Sequence, residues 1–214
     1  DYVNDSNYKD EWLLSRASYG VRLEPQQQSN WCWAACARMM SMAHFEDALV
    51  SQASVAVYVK LGADARDPSS EQIASSNYAA TPAETEKAVE HIYTKENCNL
   101  NFTSGSWKIY SEQTLRKVLD DGQPVIILRG QYDSAGVRIN GHYIVIYGYH
   151  WDNAAGTYVY EIRDPGPVNI GDSYVRSYQW IVNGRNPAGA EQGDRGKWDG
   201  IVARSGYGDM ISMP

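Results

Sequence analysis

The sequence predicts an α+β chain, with helices in its first half and an antiparallel sheet in its second. Three observations predict it. Between residues 32 and 122, several stretches join helix-forming residues to cap and stop signals. From residue 124 onward the texture changes to β-branched and aromatic runs between Gly, Asn and Asp turns. The length of 214 residues, with 43% apolar and 21% charged residues, suits one large domain or two small lobes sharing a cleft.

Residues 1–20 are polar and weakly patterned, and are expected to form an arm or strap. VRLEP (21–25) reads as a short extended piece ended by Pro25. CWAACARMMSMAH (32–44) contains no Gly or Pro and only good to fair helix formers. Asn30 is its candidate cap. Trp33, Cys36 or Ala37, Met40 and His44 recur at helical spacing, and Ala and Cys fill the other face. This helix should therefore be buried on most sides. SQASVAVYVKLG (51–62) reads as a second helix, capped by Ser51 and stopped by Gly62. TPAE (81–84) has the form of a capping box with Pro at the first helical position, starting a helix to about Tyr93. SEQTLRKVLDDG (111–122) is capped by Ser111, carries a Leu115, Val118, Leu119 stripe and ends at Gly122.

Four strands are expected after that, at 124–130, 142–150, 156–164 and 173–182, with a final one over 199–207. DNAAG (152–156) reads as a hairpin loop and residues 184–196 as a long polar loop. The expected division is an arm (1–20) and one domain over 21–214, mainly helical over 21–122 and mainly β over 123–214.

Composition excludes some function classes. The net charge is −7 and the pI about 5.1, so the basic field of a nucleic-acid binder is missing. The acidic balance favours neutral or basic partners. No apolar run approaches 18 residues, so no membrane insertion is expected. The 16 Tyr against 2 Phe suggest many half-buried rings with polar tips. The three cysteines, an odd number, argue against a disulfide scaffold. A Cys36–Cys98 bridge stays open.

WCWAACARMM (31–40) places a cysteine between two tryptophans at a helix start. There the helix dipole stabilises a thiolate, and a free backbone N–H can bind an oxyanion. A buried core thiol is the plainer reading of Cys32. Gln26, Gln27 and Gln28 lie just upstream and could supply a side-chain amide. Of four histidines, His44 is twelve residues down the same helix, about 18 Å away, and cannot reach Cys32. His91 reads as a solvent-facing helix residue, and His150 ends a strand. His142 follows Asn140-Gly141 and opens the strand YIVIYGY, at the edge of the sheet. If 142–150 and 156–164 pair around DNAAG, Asp164 comes beside His142, where it would orient an imidazole. Turn roles for His142 and Asp164 are the alternatives. A metal site has no second ligand cluster to draw on, and no cofactor is called for.

PQQQSNWCWAACARMM, then PVIIL, NGHYIVIYGY and IRDPGP, resembles the papain-like cysteine peptidases in order and spacing over residues 21–170. The closest likeness is to the bacterial branch with a Cys-His-Asp triad. That branch includes papain-like effector proteases injected by plant-pathogenic bacteria. The chain is also similar in outline to double-glycine leader peptidases. The resemblance implies a helical lobe with a buried nucleophile helix and an antiparallel β lobe. It implies Cys32 as nucleophile, His142 as general acid/base, Asp164 as third member and Gln26 as oxyanion donor. It further implies a protein or peptide substrate, an inhibitor, pro-segment or activating partner, and secretion or delivery from a bacterium. Two departures stand out. Ser29 occupies the place of a papain disulfide cysteine, and Asp164-Pro165-Gly166 replaces Asn with Ser-Trp-Gly. Papain subsite preferences therefore do not carry over, and residues 184–214 have no counterpart. Two other readings accompany hydrolysis: amidase, deamidase or acyltransfer chemistry at the same site, and a binding module without catalysis.

Overall fold

The computed structural model of the chain describes residues 20–45, 49–184 and 196–212. The arm expected over 1–20 and the loop expected over 184–196 lie almost wholly outside them. Six helices and eight strands occur among the described residues: α1 (Cys32–Ser41), α2 (Gln52–Leu61), α3 (Ser70–Ser75), α4 (Pro82–Lys95), β1 (Phe102–Ser106), β2 (Lys108–Ile109), α5 (Glu112–Asp120), β3 (Val125–Tyr132), β4 (Arg138–Asp152), β5 (Thr157–Asp164), β6 (Asp172–Ser177), α6 (Tyr178–Asn183), β7 (Gly196–Arg204) and β8 (Ile211–Ser212). The α+β class expected, with helices first and an antiparallel sheet after them, is what the structure has.

Local chemistry sets most helix starts. Ser51, Thr81 and Ser111 each accept a hydrogen bond from the backbone N–H three residues on, at Ser54, Glu84 and Thr114. At Thr81 the Glu84 side chain returns the bond, completing the capping box. Gly62 stops α2 at φ 68°, a left-handed conformation that glycine adopts without steric cost. The start of α1 differs. Its cap position is Trp31 rather than Asn30, and no side chain caps it.

One six-stranded sheet runs in the order β1-β7-β3-β4-β5-β6, with every pairing antiparallel. Alternating side chains cover both its faces. One face packs on α1, α2 and α4 through Ile126, Leu128, Tyr143 and Val145. The other packs on α5 and α6 through Ile127, Ile144, Ile146 and Ile162. Helix α5 thus belongs to the face opposite α1, although it precedes most of the sheet in sequence.

Three sequence expectations are corrected. The strand expected over 173–182 is β6 only to Ser177, whose side chain then caps α6 by accepting from the Trp180 N–H. Strands β1 and β2 fall in a stretch left unassigned. His91, expected in solvent, is buried and stacked on Tyr58 with ring centroids 3.7 Å apart.

Candidate active site

Cys32 is the first residue of α1 and is almost fully buried. No acidic residue lies in the first turn, so nothing there offsets the positive end of the helix dipole. The flanking tryptophans are anchors. The Trp31 and Trp33 indole N–H groups donate to the Ser76 and Tyr78 carbonyls, at 3.1 and 3.0 Å. The Asn30 backbone N–H and side-chain amide donate to Asn77, both at 3.1 Å. The segment carrying Cys32 is therefore stapled to residues 76–78 on both sides.

His142 stands on β4, and its Nε2 lies 2.5 Å from Asp164 Oδ1. Cys32 lines the same cleft as His142 and is one of the groups that raise the pKa of its ring. The β4–β5 hairpin makes this meeting: Val145 pairs with Arg163, so the start of β4 lies at the end of β5. Burial works against a charged imidazole. The Asp164 hydrogen bond and the charges of Cys32 and Asp164 outweigh it, and the His142 pKa is pushed up to about 10.

Asp164 accepts three hydrogen bonds. Oδ1 takes the Gly166 N–H at 2.8 Å in addition to His142, and Oδ2 takes the Tyr174 hydroxyl at 2.9 Å. Burial alone would raise its pKa. His142, the Gly166 N–H and Tyr174 reverse this and hold it below the ordinary carboxylate value. Gly166 lies against the pair: a Cβ there would come 3.2 Å from His142 Cε1. Burial and the Asp164 charge push the Tyr174 pKa up, so the phenol remains a donor.

Gln26 is buried, and both amide hydrogens have partners, the Gln28 and Ser29 carbonyls at 2.9 and 3.0 Å. Its backbone N–H donates to the Pro165 carbonyl and its carbonyl accepts from Asn169, both at 2.9 Å. Gln26 thus ties the loop before α1 to the loop after Asp164. Cys36, one turn beyond Cys32, is fully buried, and burial pushes its pKa well up. All three cysteines are free thiols. His44 hydrogen-bonds Tyr93, and His150 pairs with Glu161; neither reaches the site.

Cys32 and His142 open onto a cleft of about 620 Å³. Trp107 and Ile139 stand exposed on its rim, and Arg138 and Asp199 form an ion pair within it. Sequence reading did not single out Tyr174, Trp107, Arg138 or Asp199. Tyr174 and Asp199 reach the site through strand pairings that leave no local signal. A thiol at a helix start, an imidazole lining the same cleft and a carboxylate bonded to the imidazole are suited to acyl transfer through a thioester.

A family model described as the Peptidase_C39 like family matches residues 19–184. No curated protein matches the chain. Among solved structures, a Bacillus anthracis protein described as a candidate C39-like peptidase is similar at 17% identity, covering 86% of this chain and 94% of the other, with a TM-score of 0.49.

Proposed function

The chain belongs to the Peptidase_C39 like family of cysteine peptidases, and from that premise we propose that it cleaves peptide bonds with Cys32 as nucleophile, His142 as general acid/base and Asp164 as orienting carboxylate. The supporting observation is the His142–Asp164 hydrogen bond beside Cys32, which stands at the head of α1 in the same cleft as His142. In this mechanism the Cys32 thiolate attacks the peptide carbonyl carbon. The Cys32 backbone N–H, at the open helix end, holds the resulting oxyanion. Gln26 supplies the second donor by exchanging one of its loop carbonyls for the oxyanion. The His142 imidazolium gives its proton to the leaving amine, and neutral His142 then takes a proton from the water that hydrolyses the thioester. Throughout, Asp164 fixes the ring and balances its charge.

The test is mass spectrometry on intact protein and on peptides. Iodoacetamide should modify Cys32 ahead of Cys98 and Cys36, with this selectivity lost in His142→Ala. Peptide fragments that vanish with Cys32→Ala would establish hydrolysis. A one-dalton gain would indicate deamidation instead, and a covalent adduct would indicate acyl transfer. Ordinary thiol behaviour at Cys32 would leave the chain a binding module.

A further inference from the structure

The cleft carries a second built feature beside the reacting groups. On β7, Asp199 is 2% exposed, yet it belongs to the cleft lining. Its Oδ1 accepts from the Tyr132 hydroxyl at 2.7 Å, and its Oδ2 lies 3.0 Å from Arg138 Nε. Arg138 is the opposite kind of residue: its side chain is 38% exposed. Buried carboxylate and exposed guanidinium are so arranged that the acid braces the base from behind. The Arg138 Nε also donates to the Asn140 carbonyl, at 3.3 Å. Its terminal Nη1 and Nη2 have no hydrogen-bond partner among the described residues.

The backbone has been cleared to fit this pair. Gly130 and Gly141 face each other across β3 and β4. A Cβ on Gly130 would collide with the Asp199 carboxylate, and one on Gly141 would collide with Arg138 Nη2. Gly141 directly precedes His142, and Arg138, Cys32 and His142 line the same cleft. Asp199 also accepts the Trp107 N–H on its main-chain carbonyl at 2.8 Å, which fixes the aromatic rim beside the cation. Trp107 itself has φ 57°, a strained value for a bulky residue.

We propose that Arg138, braced by Asp199, determines substrate choice by pairing with a carboxylate of the peptide bound in the cleft that Cys32 and His142 line. A guanidinium fixed along one edge presents its remaining N–H fork to a planar carboxylate with little further loss of freedom. The carboxylate is an Asp or Glu side chain or the peptide's own C-terminus. The net charge of −7 does not oppose this. It acts on the encounter at long range and is screened by salt, whereas Arg138 acts at contact. The proposal rests on the peptidase reading above and deepens it.

The test is a positional-scanning peptide library that sets Asp against Asn and Glu against Gln, with free and amidated C-termini. The expected result is kcat/KM about tenfold higher for the acid at one position of the bound peptide. Preference retained on amidation assigns the side chain as the source, and preference confined to free C-termini assigns the chain end. Asp199→Asn, which loosens the brace, should reduce the preference. The double variant Arg138→Gln/Asp199→Asn, which leaves no lone buried charge, should reduce it to within twofold. Iodoacetamide alkylation of Cys32 with Cys36 left unmodified in the double variant verifies that the fold persists. Cleavage that treats acids and amides alike, or a preference that survives the double variant, overturns the proposal and leaves the peptidase reading intact. No cleavage together with an unreactive Cys32 overturns both.

Discussion

Asp164 carries more than its place in sequence suggests, because three donors converge on one carboxylate. The direction of each pKa shift sets the pH window. The His142 pKa is raised, so its contribution to stability is complete below its ordinary value of 6.5 and is lost as pH rises through about 10. The Asp164 pKa is lowered, so its contribution is complete above 3.8 and is lost as pH falls through the depressed value. Asp164→Asn should therefore bring the alkaline limb of kcat/KM down from about 10 toward 6.5, and should lower kcat roughly 10²- to 10⁴-fold. A pH–rate profile with NMR titration of the His142 ring checks both. Tyr174→Phe removes one donor and keeps the ring. It should cost roughly three- to tenfold in kcat/KM and move the acid limb upward, since Asp164 loses a bond that favours its charge. A purely structural tyrosine would change thermal stability and leave that limb where it is.

At the scale of elements, the helices are legible where a cap is written in neighbouring residues. Ser51, Thr81 and Ser111 mark α2, α4 and α5 because the capping bond spans three positions. Ser111→Ala should accordingly cost about 1 kcal/mol in urea unfolding and leave Cys32 alkylation unchanged, since α5 packs on the far face of the sheet. Long-range contacts are where sequence reading fails. β1 contains Gly105 and is held by β7, about a hundred residues away. SYQWIV has strand-forming composition, but Ser177 caps a helix there. His91 is polar on a helix surface until Tyr58 covers it. The candidate triad was legible because its two late members stand on the two strands of one hairpin, although a bulge between Ile146 and Gly148 shifts the register that the turn sets. Tyr174 arrives from the next strand and Asp199 from β7, and no spacing announces either.

For the molecule as a whole, the cysteines form a graded set of reporters. Cys36 is fully buried beneath the sheet, one turn from Cys32 and with its pKa pushed well up. In native buffer Cys36 should stay unmodified while Cys32 reacts. Its labelling should then rise with urea in step with loss of circular dichroism, so that it measures global opening. Cys36 labelling without unfolding would mean that α1 opens locally. Core packing lies on both faces of one sheet, so the two faces are expected to lose structure together.

The candidate nucleophile and its partners stand far apart along the chain, at residues 32, 142 and 164. A ribosome adding about 5–20 residues per second exposes the thiol several seconds or more before Asp164 is made. For most of that interval the nascent polypeptide lacks His142, the imidazole proposed to activate its sulfur. On the proposed mechanism reactivity arrives only when the hairpin closes, so the cell that makes this chain is exposed to its chemistry late, after most of the fold has been synthesised.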